Sequence, residues 1–375
     1  MTSNPALVAF PMHGQHKLSN EGYRTRDGHL IEWFGKKLAS QGPVLVASRP
    51  EPRVLAPLRR YSPDRVAANT VPRTTFLWRL PSPGDRQRWW VDSLKAYHRI
   101  VPDLAAPVIT WNPFLALSSA WPVIVSSGVP VAFDLLDDWT IHYAFEGVRA
   151  EVIRAYEVLF AHAAVVTANA EGTVELARRF GREDVVFLPN GCDPERFDPT
   201  STASGPLTVG YVGKIGKRLD LDLIVDAARR LPDVDFVFAG PVLDAEYKKP
   251  MDAAPNIRML GDVFYEDVPG LLRSFDIGWV PHRVGQGEVG GDVIKTYEYR
   301  AAGLPVLTTP VAGANSRGLD AVTVAEAADH VQWLTEQARN GARVPRQVST
   351  LPSEVRWEGK ADFILNRLRP VGARA

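Results

Sequence analysis

Lys295 and Glu298 stand three residues apart in GGDVIKTYEYRAAGLPVLTTP, the stretch from Gly290 to Pro310. In a helix that spacing puts both side chains on one face. Ile294 to Ala302 is rich in helix formers, Gly303 is the residue expected just past a C-terminus, and Pro-Val-Leu-Thr-Thr then reads as a strand. The helix would open at Gly291, Asp292 and Val293, where free backbone N–H groups favour an anion. A cation for phosphate beside a carboxylate for sugar hydroxyls is the pair that a nucleotide diphosphate sugar needs.

Other clusters carry chemistry of a compatible kind. In VGYVGKIGKRLDLDLI, Gly210, Gly213 and Gly216 allow a sharp turn after a strand, and Lys214, Lys217 and Arg218 put cations beside it. A tight strand-to-helix turn with solvated lysines is the competing reading. PVAFDLLDDWTIHY sets Asp134, Asp137 and Asp138 at the end of an apolar strand, where α/β proteins place ligands, although an Asp there also serves as a helix cap. His142, His162, His282 and His330 have no mutual spacing that suggests a metal, and His282 directly follows a strand. From His13 to Arg26 the chain reads as a polar loop holding His16, Lys17 and Arg24. RQRWWVDSLKAYHRI mixes Arg86, Arg88, Lys95 and Arg99 with Trp89, Trp90 and Tyr97; core tryptophans with a solvated basic face are the better reading, and a membrane-docking helix is the alternative.

These residues must be positioned by alternating strands and helices. From Leu207 onward strands are expected at 207–213, 234–240, 256–261, 276–281, 304–310 and 321–325, separated by helical patterns such as LDLIVDAARRL and EAADHVQWLTEQARN. That order implies a parallel sheet with right-handed crossovers. The first half repeats it less cleanly, with strands expected at 6–12, 43–50, 75–80, 107–112, 130–137, 163–169 and 184–190. Between the halves, residues 189–206 are dense in Pro, Gly, Asp and Ser and read as a linker. WEGKADFILNRL near the end has apolar residues at helical spacing.

At 375 residues the chain suits two domains. Its 43 basic and 43 acidic residues balance, so no global field recruits nucleic acid or an anionic membrane. The single cysteine, Cys192, excludes an internal disulfide framework and a cysteine-rich zinc site, and suits a reducing cytoplasm. No apolar run approaches the roughly 18 residues of a spanning helix, which leaves only peripheral membrane contact open.

The Lys295 segment resembles the donor-binding helix of GT-B glycosyltransferases, matching K-x-Y-E-Y-x-A-A-G-x-P-V at Lys295, Tyr297, Glu298, Tyr299, Ala301, Ala302, Gly303, Pro305 and Val306. Retaining members of family 4 often carry a second Glu eight residues earlier, where Gly290 stands here; the K-x-Y-E-Y form and D-x-x-D-D-W at Asp134, Asp137, Asp138 and Trp139 are closer to the teichuronic-acid and polysaccharide branch. PNGCDPERF resembles the signature at the interdomain crossing of these enzymes. The resemblance implies two Rossmann-like doubly wound domains facing across a cleft: 1–190 on the acceptor side, 191–355 binding the donor, and 356–375 a helix returning to the first. It further implies a metal-independent retaining hexosyl transfer from a UDP- or GDP-sugar, with no cofactor, to a hydroxyl of a glycan, glycolipid or small molecule. On this likeness Gly213, Lys214, Arg218, His282, Gly291, Asp292, Val293, Lys295 and Glu298 contact the donor, Val263 and Phe264 hold its base, Asp137 or Asp138 serves the acceptor hydroxyl, and Gly14 and Gly28 lie in a loop near both substrates. A nucleotide-sugar epimerase and a non-catalytic nucleotide-sugar-binding subunit are the rivals. A dinucleotide dehydrogenase is disfavoured, because no G-x-G-x-x-G follows the first strand of either half.

Overall fold

The computed structural model describes residues 4–99, 105–285, 292–311, 319–341, 343–348 and 350–369. The chain divides into two compact units: one holds the residues up to Pro189 together with those from Trp357, the other spans Asn190 to Arg356.

The first unit is built on β1 (Leu7–Phe10), β2 (Val44–Ala47), β4 (Thr70–Arg73), β6 (Val108–Thr110), β7 (Val131–Leu135), β8 (Val165–Ala168) and β9 (Val186–Phe187), all parallel, in the order β4-β2-β1-β6-β7-β8-β9. A separate two-stranded pair joins β3 (Glu51–Pro52) to β5 (Phe76–Leu77). The inner strands β1, β6, β7 and β8 are buried at every position, as expected where helices cover both sheet faces. Two sequence expectations change here. The stretch 75–80 contributes only β5, and the sheet edge is instead TVPR, whose Pro72 is tolerated because an edge strand has one unpaired side. Residues 13–26 form no extended loop either: helix Gln15–Glu21 ends at Gly22 in the left-handed conformation, and helix Arg26–Lys37 follows. Helix Trp357–Leu368 packs on Arg26–Lys37, where the Trp357 indole stacks on His29 with ring centres 4.9 Å apart.

The second unit carries β10 (Leu207–Val212), β11 (Val234–Ala239), β12 (Ile257–Gly261), β13 (Ile277–Val280), β14 (Val306–Thr308) and β15 (Val322–Val324), again all parallel, in the order β12-β11-β10-β13-β14-β15. Each lies within a strand expected from the sequence, because buried parallel strands leave uninterrupted apolar runs. The order reverses direction between β10 and β13 in this unit and between β1 and β6 in the first. Open α/β sheets bind ligands outside the carboxyl ends of the strands at such switch points.

Residues 189–206 behave as a linker only in part. Asn190, Cys192, Asp193 and Phe197 are buried, with Cys192 and Phe197 in the second unit's core, so exposure is concentrated after Phe197.

Candidate functional site

At the carboxyl end of β10 the chain turns through Gly213, whose φ of 153° lies in the region that favours glycine. A Cβ there would come within 3.0 Å of Lys295 Cε, so the turn and the Lys295 side chain lie against each other. The turn is backed by Gly240 at the end of β11, where a Cβ would sit 1.9 Å from the Gly213 carbonyl oxygen.

Lys295 and Glu298 lie on helix Ile294–Ala301. The Lys295 ammonium stands 5.1 Å from the Tyr211 ring centre, a cation–π contact. Burial, together with the charge of Arg218, brings the Lys295 pKa down to about 8 against the opposing pull of Glu298. Glu298 is buried, and its Oε1 accepts a 2.8 Å hydrogen bond from the Tyr265 hydroxyl. Desolvation pushes the Glu298 carboxyl up, while Tyr265 and Lys295 hold it down. Tyr265 opens the short turn directly after Val263 and Phe264, and that loop reaches Glu298 through the Tyr265 hydroxyl. Sequence reading passed over Tyr265; a Tyr between Phe264 and the acidic pair Glu266–Asp267 gives no sign of its partner 33 residues away.

His282 follows β13 across the switch point from Gly213. Burial, then Lys295 and Arg218, drive its pKa well below that of an ordinary imidazole, so it is neutral at pH 7. Its Nε2 is buried without a hydrogen-bond partner among the described residues. Lys214 and Arg218 are exposed beside the same turn. The carboxyl ends of β10 and β13 thus gather cations, a neutral imidazole and a buried carboxylate, which is a surface able to hold a polyanion next to hydroxyl groups.

Gly291 lies outside the described residues, and so does Gly290. Asp292 is drawn away from ligand duty: its carboxylate accepts from the Asn190 and Val293 N–H groups, both at 2.9 Å, and from the Tyr297 hydroxyl at 2.6 Å. Its lone pairs serve the helix entrance. Val293 is the residue preceding the helix, with no side-chain cap.

In the first unit, Asp134 is fully buried and meets four donors: Arg26 Nε and Nη2 at 2.7 and 2.9 Å, Trp111 Nε1 at 2.6 Å and Thr167 Oγ1 at 2.5 Å. Asp138 accepts from Thr140 through its N–H and hydroxyl and pairs with Arg179, so this carboxylate caps a turn. Asp137 is half-buried, and its backbone carbonyl accepts from the Tyr156 hydroxyl. Gly28 needs correction, since it sits inside helix Arg26–Lys37, where a Cβ would meet the Tyr23 carbonyl at 2.5 Å; close packing explains it. Gly14 precedes helix Gln15–Glu21, 3.0 Å from Glu51 Oε1 by the same measure. Trp89 is buried and Trp90 packs on the core, so their segment is not a membrane-docking helix.

The first unit also holds a pair that sequence reading did not assemble. His13 Nδ1 lies 3.1 Å from Asp27 Oδ2, and the N–H groups of Met12 and His13 donate to the same carboxylate oxygen. Burial alone would raise the Asp27 carboxyl, but His13 and these hydrogen bonds hold it well below the usual carboxylate range. An Asp fourteen residues after a His, at the second position of a helix, was the available signal.

The family model described as Glycosyl transferases group 1 matches residues 206–339, which run from β10 through helix Ala327–Arg339. A Bacillus subtilis protein named as the teichuronic acid biosynthesis glycosyltransferase TuaH is 29% identical over 140 residues, covering 34% of this chain and 35% of its own, so the match spans about a third of that relative's length. Among solved structures, sucrose-phosphate synthase from Thermosynechococcus elongatus superposes with a TM-score of 0.65 at 14% identity, over 96% of this chain and 94% of its own. The fold is GT-B. Anabaena HepE in complex with UDP and glucose (TM-score 0.59, 14% identity, 96% and 95% coverage) agrees, as does the catalytic domain of Arabidopsis thaliana starch synthase IV bound to ADP and acarbose (TM-score 0.63, 11% identity, 98% and 99% coverage).

Proposed function

We propose that this GT-B chain is a glycosyltransferase moving a hexosyl group from a UDP- or GDP-sugar to a hydroxyl acceptor, with retention of configuration and without a metal ion. The observation that carries the reading is the placement of Lys295 against the Gly213 turn with Glu298 one helical turn on, at a Rossmann switch point. The match to group 1 transferases over the same residues supports it, and so does the TuaH likeness.

In this reading the diphosphate lies against the Gly213 turn, with Lys295 and Arg218 taking up the negative charge that grows on the leaving group. Charge in a desolvated setting counts for more than in water, which is the use of a half-buried ammonium. His282, neutral and with an unpartnered Nε2, hydrogen-bonds the donor. Glu298, fixed by Tyr265, accepts from donor hydroxyls and holds the sugar for attack on the face the diphosphate leaves. Asp137 or Asp138 serves the acceptor hydroxyl, and Asp138 would do so while held by Thr140 and Arg179. The chain would work in the cytoplasm, facing the membrane if its acceptor is a lipid, and would build polysaccharide or another glycoconjugate.

Melting curves with UDP, GDP and their sugars provide the test. One nucleotide should raise the melting temperature of the wild type and lose that effect in Lys295→Ala. Donor incubated without acceptor should not be converted to an epimer. A wild type whose melting no nucleotide or nucleotide sugar shifts would sink the proposal.

A further inference from the structure

The first unit carries a cationic cluster that the donor site does not use. Arg49 follows β2 on the loop Ser48–Arg49–Pro50, and its guanidinium lies 3.8 Å from the Trp90 ring centre. That loop is held firmly: Ser48 Oγ accepts from the Gln15 N–H at 2.9 Å, and the Pro50 carbonyl accepts from Trp89 Nε1 at 2.9 Å. Half-buried Arg49 makes neither a hydrogen bond nor an ion pair among the described residues. Arg59 is close by, with Nε 3.0 Å from Glu51 Oε2 and Nη1 donating to His16 Nε2 at 2.6 Å.

His16 adds no charge of its own. Burial, followed by the fields of Arg59 and Lys17, lowers its pKa to about 4, so at neutral pH it accepts from Arg59 and turns Nδ1 towards Glu51, 3.6 Å away. Arg59 and Arg49 both act on the Glu51 carboxylate, while Lys17 and Glu21 act on His16 beside them. With Glu21 paired to Arg24 at 3.0 Å, positive side chains outnumber negative ones in this cluster, as recognition of a phosphate requires. A planar guanidinium stacked on an indole keeps its edge for bidentate recognition of such a group. The cluster also sits after β1 and β2, on the carboxyl edge where this sheet type binds ligands.

We infer that Arg49 and Arg59, with Lys17, bind the phosphate of a phosphorylated acceptor. The inference rests on the transferase reading for calling that ligand the acceptor. The phosphate belongs to a soluble sugar phosphate or to a lipid headgroup, and the two share this chemistry.

Titration calorimetry tests it on the full chain, with the donor site first saturated by whichever of UDP or GDP binds, so that phosphate cannot enter there. Glucose 6-phosphate or inorganic phosphate should bind where glucose does not. Arg49→Gln should weaken that binding about tenfold or more, Arg59→Gln similarly, and Arg49→Lys less, with nucleotide affinity unchanged in all three. Sedimentation with phosphatidate vesicles, set against phosphatidylcholine vesicles, separates the sources: uptake lost in Arg49→Gln assigns a lipid phosphate, and soluble binding alone assigns a sugar phosphate. If the wild type takes up none of these phosphates, or Arg49→Gln binds them as the wild type does, the inference falls. Failure of the wild type to bind UDP and GDP strikes the transferase reading instead, and the comparison of Arg49→Gln with wild type then still decides whether a phosphate site exists.

Discussion

Lys295 illustrates how a single side chain reports its surroundings. With a pKa of about 8 it is mostly charged at pH 7 and loses its proton on modest alkalinisation. A diphosphate favours the ammonium, so nucleotide affinity should hold near pH 7 and weaken as pH rises through 8, approaching tenfold per pH unit beyond. Lys295→Arg should remove that slope, since guanidinium stays charged; calorimetry from pH 7 to 9.5 gives the comparison. Tyr265 predicts a different separation. Tyr265→Phe strips the donor from buried Glu298, and the nucleotide sugar should then bind roughly tenfold more weakly while the bare nucleotide is barely affected. Equal losses for both ligands would remove Glu298 from the sugar. The sequence put Lys295 and Glu298 on one helix because helical spacing is local. Tyr265, the lock on Asp138 and the diversion of Asp292 were hidden, because each depends on a partner brought close only by the fold.

Elements fix these residues through backbone contacts as much as through side chains. The turn after β10 rests on Gly240, and no other residue fits, since φ is 144° and a Cβ would overlap the Gly213 carbonyl. Gly240→Ala should cost about 2–4 kcal/mol. Thermal melting should show the second unit destabilised, and on the proposed function nucleotide binding should fall with it, because the displaced carbonyl belongs to the turn proposed to hold the diphosphate. The six strands of that unit were legible because each is a short apolar run between turn residues. Strand β4 was not, since TVPR alternates half-buried and exposed positions and carries a proline. Helix Gln15–Glu21 was missed for a related reason: QHKLSNE has a single apolar residue, and its buried Gln15 and Ser19 bond each other at 2.7 Å rather than contributing an apolar stripe.

Across the whole molecule the chain leaves the first unit at Pro189 and returns to it at Trp357. Composition suggested a loose tether after Pro189, yet each side of that point is anchored. Arg26 Nη1 donates to the Pro189 carbonyl at 3.2 Å, and Asp292 accepts the Asn190 N–H and, through its carbonyl, the Asn190 side-chain amide. Cys192 N–H then donates to the Val355 carbonyl at 2.9 Å. For a protease, which must draw extended backbone into its own groove, the segment from Asn190 to Phe197 offers little beyond the exposed Glu195 side chain until its host unit opens. Brief digestion of the native protein should therefore nick this region within 200–206 and spare 190–197, with mass spectrometry locating the cut. Although the whole stretch is written in the alphabet of a flexible connector, its first half should survive as long as the core does.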